Sequence, residues 1–298
     1  MRRHLVDRFR TLLPAAALLL PAAAAAQTEG AGFEAFHGTW TAQSGRGTPA
    51  VTMTWEDRGG GIVYVSTTDS SPDAGPLEVF AFRLDGKDYP YAFRGGDVTS
   101  TIASAAIDRN AIDVTYKMGG TRTARSRWSV SGNGSTLTVG RPDGTTWSLA
   151  RQNASPAQAP REFSSGYKRY IGVWEAVRNE RGSNTGTVVW EDRGENFVIA
   201  TVRDRDGRVT MRYTLKYDGK HYPCVSNRGG VNTITSVFVD DYKTDWSIYL
   251  ADGSLSGSGS RIVDPDGQRI VVPGSGGGGN DLIWHRAGDA PTDGILAP

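Results

Sequence analysis

Five short segments of this sequence occur twice, in the same order and at nearly constant spacing. Gly38-Thr39-Trp40 returns as Gly172-Val173-Trp174, and Trp55-Glu56-Asp57-Arg58-Gly59 returns intact as Trp190-Glu191-Asp192-Arg193-Gly194. Asp85-Gly86-Lys87-Asp88-Tyr89-Pro90 is matched by Asp218-Gly219-Lys220-His221-Tyr222-Pro223. Arg94-Gly95-Gly96 is matched by Arg228-Gly229-Gly230, and Ser126-Arg127 by Ser260-Arg261. A period of about 134 residues is far longer than a solenoid repeat, so the chain is a duplicated domain. Whatever fold forms must close within one copy.

Each copy reads as β-structure. Val209, Met211, Tyr213, Leu215 and Tyr217 alternate with Thr210, Arg212, Thr214 and Lys216. The same period of two runs through Val51, Met53 and Trp55, through Ile112, Val114 and Tyr116, and through Trp246, Ile248 and Leu250. Turn signals punctuate these runs: Asp57-Arg58-Gly59, Asp85-Gly86, Met118-Gly119-Gly120, Gly132-Asn133-Gly134 and Asp143-Gly144. Glycine supplies 38 of the 298 residues, as bends and tight turns require. Strands joined by tight turns are antiparallel neighbours. No segment beyond residue 26 holds a helical period over three turns, so no helix covers the apolar face. The sheet therefore closes on itself or folds into a sandwich. Because every connection is short, meander order favours the barrel: an all-β chain of two tandem antiparallel up-and-down β-barrels, with eight to ten strands each.

The N-terminus is an export signal in composition. Arg2, Arg3, Arg8 and Arg10 precede an apolar stretch from Leu12 to Leu20, Pro21, and the run Ala22 to Ala26. A basic end, a short apolar middle and small residues at the exit predict a signal peptide over 1–26, cleaved after Ala26. A membrane anchor needs about 20 strongly apolar residues, and this stretch is shorter and broken by proline. The Arg2-Arg3 pair leaves the general and twin-arginine routes both open. The expected organisation is signal peptide 1–26, first barrel 33–151, linker 152–166, second barrel 167–286 and tail 287–298. The location is periplasmic or secreted.

Charge excludes some partners. The chain has 33 Lys plus Arg against 32 Asp plus Glu, and loss of residues 1–26 leaves 29 against 31. No basic face for nucleic acid is implied. No stable membrane insertion is expected after cleavage. One cysteine, Cys224, rules out an internal disulfide or a thiolate-rich metal site, and it reads as buried.

The Gly-x-Trp opening a first strand, the meander of strands and an arginine in the last strand resemble the lipocalin and fatty-acid-binding-protein superfamily. The Tyr-Asp-Gly-Lys-x-Tyr-Pro segment at 217–223 is similar to that of a widespread class of secreted bacterial lipocalin-like domains. The first copy departs from it with Leu84 before Asp85. The resemblance implies that Trp40 packs under Arg151 and Trp174 under Arg286, closing one end of each barrel by a structural cation–π contact. Phe33 and Phe36, and Tyr167 and Tyr170, are spaced as a short helical turn laid across that end.

Candidate chemistry is sparse. The duplicated Trp-Glu-Asp-Arg-Gly offers Glu56 and Asp57 as an acid–base pair with Arg58 as an anion clamp. A hairpin turn with Glu56 facing water is the plainer reading, because strand neighbours point to opposite faces. His37, His221 and His285 do not recur at equivalent positions. No nucleophile elbow is present, and the glycine run 274–279 lacks a phosphate-loop lysine. No enzyme, cofactor or metal is therefore expected. The inward aromatic residues remain: Trp55, Phe80, Phe82 and Tyr116 in the first copy, with Trp190, Met211, Tyr213 and Trp246 in the second. They form either a packed core or the lining of a site for a small apolar or amphipathic ligand. Filled barrels docking a cell-envelope partner are the alternative. Strand 77–84 is apolar on both faces, which predicts contact with the other barrel.

Overall fold

The structure, a computed structural model, describes residues 33–42, 50–70, 75–118, 121–154, 165–177, 185–275 and 280–290. The expected signal peptide, most of the expected linker, the end of the expected tail, residues 119–120 and residues 276–279 of the glycine run lie outside the described residues.

Twenty strands form two closed barrels. The first contains β1 (Gly38–Ala42), β2 (Val51–Asp57), β3 (Val63–Asp69), β4 (Pro76–Phe82) and β5 (Tyr89–Phe93), then β6 (Thr101–Asp108), β7 (Ala111–Met118), β8 (Thr121–Val130), β9 (Thr136–Gly140) and β10 (Thr146–Asn153). The second contains β11 (Gly172–Ala176), β12 (Thr185–Asp192), β13 (Val198–Asp204), β14 (Val209–Leu215) and β15 (Tyr222–Ser226), then β16 (Asn232–Phe238), β17 (Lys243–Tyr249), β18 (Leu255–Val263), β19 (Arg269–Val272) and β20 (Leu282–Gly288). Each strand pairs antiparallel with the next, and β1 with β10 and β11 with β20 close the rings. The sandwich is excluded, and each apolar face curls inward. A 3-10 turn at Ser165–Arg169 precedes the second barrel.

The period of two holds along β2 and β7, whereas in β14 the alternate polar residues Arg212 and Thr214 are buried along with Tyr213 and Leu215. Val51, Met53 and Trp55 are buried with half-exposed residues between them, as are Ile112, Val114 and Tyr116. Leu250 departs from the expected pattern: it lies beyond the end of β17, in a turn, and is exposed.

The two barrels meet along β4 and β5 of one and β14 and β15 of the other. Val79 and Ala81, on the outward side of β4, are fully buried there. The duplicated motifs build this seam. Asp85 caps the Lys87 amide with one oxygen and accepts the Tyr89 hydroxyl (2.8 Å) with the other. Asp218 does the same for Lys220 and Tyr222 (3.0 Å). The tyrosine rings, fixed in this way, face the opposite barrel. Tyr89 stacks on Phe197 at 5.9 Å, and Tyr222 meets Tyr64 edge-on at 6.4 Å. Arg58 lies 5.3 Å from the Tyr222 ring and Arg193 lies 5.7 Å from the Tyr89 ring, so each barrel's arginine reaches the other barrel's tyrosine. That reciprocity is the signature of a two-fold-like interface. Gly59 and Gly194, at φ +75° and +77°, let the arginine-bearing turns double back, a conformation costly for a residue with a Cβ.

Candidate functional site

One end of each barrel is sealed by the same construction. The Arg151 guanidinium lies 4.0 Å from the centre of the Trp40 ring and donates to the carbonyls of Gly134 (2.7 Å), His37 (2.8 Å) and Ala35. Arg286 lies 4.5 Å from the Trp174 ring and donates to the carbonyls of Gly267, Ile171 and Arg169 at 2.7–2.8 Å. The indole nitrogens of Trp40 and Trp174 donate to Phe36 and Tyr170 carbonyls four residues earlier. Phe33 and Phe36 stand within 6.0 and 5.0 Å of the Trp55 ring, and Tyr170 within 6.2 Å of Trp190. These ends are anchored to backbone.

The first lumen is filled by its own side chains. Trp55, Phe80, Phe82 and Tyr116 come together there, joined by Tyr91 and Trp128. Phe80 stacks on Phe82 at 5.3 Å and meets Tyr91 at 5.7 Å and Trp128 at 5.9 Å. Toward the open end, Glu78 is fully buried. It accepts hydrogen bonds from the Thr67 hydroxyl (3.0 Å), the Tyr91 hydroxyl and Arg141 Nη1 (2.6 Å). Arg141 in turn lies 4.2 Å from the Trp147 ring. Burial, reinforced by the Glu78 carboxylate, pushes the Tyr91 hydroxyl well above its ordinary pKa, which keeps it a donor. Donors and carboxylate are mutually satisfied, and the knot caps the aromatic stack.

The second lumen is built differently at matching positions. Thr67 pairs with Glu78 across β3 and β4, and Val202 pairs with Met211 across β13 and β14. Phe80 opposite Tyr91 corresponds to Tyr213 opposite Cys224. Ser104 opposite Val114 corresponds to Ser236 opposite Trp246, and Ile102 opposite Tyr116 to Ile234 opposite Ile248. Thr67, Glu78, Val114 and Tyr116 are all buried, whereas Val202, Met211, Trp246 and Ile248 are half-buried and reached by solvent. The buried Glu78 has become Met211, and the ring of Tyr91 has become the small Cys224. Among the described residues, nothing in the second barrel reproduces the Glu78–Arg141 knot.

Trp190, Tyr213 and Trp246 are brought together around Arg261, which sequence reasoning marked only as a repeat anchor and not as a site residue. Its guanidinium carbon lies 5.7, 5.8 and 5.3 Å from their ring centres. The repeat pairs Arg261 with Arg127, but Arg127 is solvent-exposed and interacts with Asp113. Val130 and Val263 pair with Leu137 and Ile270 in the same way, so two residues earlier Arg261 takes the place of Trp128. Arg261 Nη2 donates to the Tyr213 hydroxyl (3.2 Å), which also accepts from Trp190 Nε1 (3.1 Å). Burial raises the Tyr213 pKa against the pull of Arg261, so the hydroxyl keeps its proton. The Cys224 thiol, buried in the same barrel, is pushed up to about 12 by desolvation and is not a nucleophile at neutral pH.

The remaining motif residues have structural partners. Arg58 is buried at the seam, where it pairs with Glu56 (3.0 Å), so it is not an open turn residue free to clamp an anion. Glu191 pairs with Arg193 at the same distance and, unlike the half-exposed Glu56, is fully buried. Burial raises its carboxyl pKa, while Arg193 opposes the rise. Trp55 points into the lumen on the other side of the strand, as alternation requires. His221 is exposed and bonded to Thr233. Among the described residues, no group of three or more His, Cys, Asp or Glu is placed to hold a metal ion.

No family model matches this chain, and no curated protein matches it. The solved structures that match it include two at low similarity. A protein of unknown function from the DUF3598 family of Nostoc punctiforme has 11% identity and a TM-score of 0.20, covering 85% of this chain and 97% of its own. A candidate outer membrane protein from Bacteroides fragilis has 12% identity and a TM-score of 0.18, covering 84% of this chain and 96% of its own. Likenesses this distant say nothing about what this chain does.

Proposed function

We propose that the chain is an exported, non-catalytic binding protein of lipocalin-like type, whose second barrel holds one small, partly apolar molecule. The first barrel serves as its filled partner. One observation carries this reading: four inward positions that are buried in the first barrel are open to solvent in the second. An apolar, water-exposed concavity flanked by a few polar groups is what a small-molecule site requires. Covering about 200 Å² of apolar ligand surface there contributes roughly 5 kcal/mol before the entropic cost of association. The apolar lumens and charged outer strands, with Asp113, Arg125 and Arg127 on β7 and β8, reverse the pattern of a membrane-spanning barrel and support a water-soluble protein.

The test is fluorescence enhancement of the neutral apolar dye N-phenyl-1-naphthylamine by the full chain. Saturable binding at one site is expected, abolished by Ile248→Trp, which fills the second mouth. Dye binding unchanged by that substitution would overturn the assignment.

A further inference from the structure

Two basic residues hold equivalent places at the seam between the barrels. Arg83 follows Phe82, which pairs with Val63 across β3 and β4, and Lys216 follows Leu215, which pairs with Val198 across β13 and β14. Lys216 is 2% exposed and donates to the Arg58 carbonyl of the other barrel at 3.0 Å. Arg83 reaches the opposite way, to the turn that begins at Gly194. A methyl group on Gly194 would stand 3.6 Å from Arg83 Nη1, and one on Gly60 would stand 3.4 Å from its Nη2. One on Gly59 would stand 3.9 Å from Lys216 Nζ. Neighbouring residues of a single turn thus meet one cation from each barrel.

The carboxylates around these cations are committed elsewhere. Glu56 pairs with Arg58 and Glu191 with Arg193, both at 3.0 Å. Asp57 and Asp192 accept the Gly59 and Gly194 amides, while Asp85 and Asp218 hold the Tyr89 and Tyr222 hydroxyls. Glu195 is exposed, and among the described residues Arg83 forms no ion pair. Arg83 Nε and Nη2 are buried with no partner among the described residues, as are Arg58 Nε and Arg193 Nε. Desolvation lowers the Lys216 pKa and the Arg83 charge lowers it further, against Asp218, Glu195 and Asp57. Buried donors in native proteins are met by an acceptor, so this end of the seam calls for one. We propose that inorganic phosphate or sulfate binds here, bridging Arg83 of the first barrel and Lys216 of the second. Nε and Nη2 form one edge of the guanidinium, which offers two parallel N–H groups to two oxygens of a single oxyanion. Lys216 supplies the second positive charge. A carboxylate, with one negative charge, would leave one cation unanswered, and water would accept from Arg83 without answering either. An anion held from both sides braces the seam, a role separate from that of the second lumen.

Calorimetric titration of the full chain with inorganic phosphate, sulfate and acetate, at neutral pH and constant ionic strength set by chloride, tests this. One phosphate or sulfate per chain is expected, with acetate bound about tenfold or more weakly. Arg83→Met and Lys216→Met should each weaken phosphate about tenfold or more. Arg83→Lys, which keeps the charge and loses the fork, should lie between Arg83→Met and the unmodified chain. Ile248→Trp, in the second lumen, should leave phosphate binding unchanged. If neither methionine variant folds, amide hydrogen exchange of the unmodified chain is the second readout: phosphate should slow exchange in both turns, 58–62 and 193–197, and chloride should not. Absence of saturable binding, with water alone meeting these donors, would overturn the proposal. Acetate bound as tightly as phosphate would overturn the doubly charged oxyanion. Phosphate binding unchanged in Arg83→Met, or lost from a folded Ile248→Trp chain, would overturn the location.

Discussion

Replacing Arg141 by Met should destabilise the first barrel, and the structure sets the size of the effect. Glu78 is 1% exposed and would keep only its bonds from Thr67 and Tyr91. Stranding a carboxylate in this way costs about 3–5 kcal/mol when both partners are buried. The Arg141 side chain is 17% exposed, so water reaches the pair and a smaller cost, about 2–4 kcal/mol, applies. Loss of the contact with Trp147 adds about 0.5–1 kcal/mol. The double variant Glu78→Met/Arg141→Met, which removes both charges, should recover most of the loss. Urea denaturation followed by tryptophan fluorescence reads both effects. A cost below about 0.5 kcal/mol, or a double variant no more stable than Arg141→Met alone, would refute the view that the knot is a tight buried ion pair.

Other consequences are separable. Arg286→Met leaves three backbone carbonyls without their donor and removes the stacking on Trp174, so it should cost about 2–4 kcal/mol in thermal unfolding experiments. Arg58→Ala with Arg193→Ala should loosen the seam while leaving both barrels folded, raising the radius of gyration in X-ray scattering with unchanged circular dichroism. Burial raises the hydroxyls of Tyr64 and Tyr170 from 10.0 to about 12. Because the folded chain holds these protons more tightly than the unfolded one, their contribution is intact below pH 10. It is lost between pH 10 and about 12, at about 1.4 kcal/mol per pH unit for each tyrosine. Denaturation midpoints should fall accordingly over that window, and a flat profile would contradict the burial.

The barrels were legible because their signals are local or repeated. Strand alternation such as Val51, Met53, Trp55 reports a half-buried sheet directly, and tight turns force antiparallel neighbours. The Trp40–Arg151 and Trp174–Arg286 contacts were legible through the lipocalin resemblance, not from the strand pattern. The charged lumen residues were not legible. Glu78 shares a face with the inward Phe80 and Phe82, but what makes a buried carboxylate tenable there, Arg141, lies 63 residues away. Arg261 was hidden by the repeat itself, since matching it to Arg127 turns an inward residue into a surface one. A shift of a single residue reverses the face of a strand residue, so an approximate repeat offset cannot assign it. Arg58 looks like a turn residue in one copy, and its burial comes from Tyr64 of its own barrel together with Tyr222 across the seam.

Native mass spectrometry of the chain recovered from its native cells weighs most on the two-barrel asymmetry. One small organic molecule per chain is expected, retained by the Arg141→Met variant and lost from Ile248→Trp. Two such molecules per chain, or one that persists when the second mouth is filled, would contradict it.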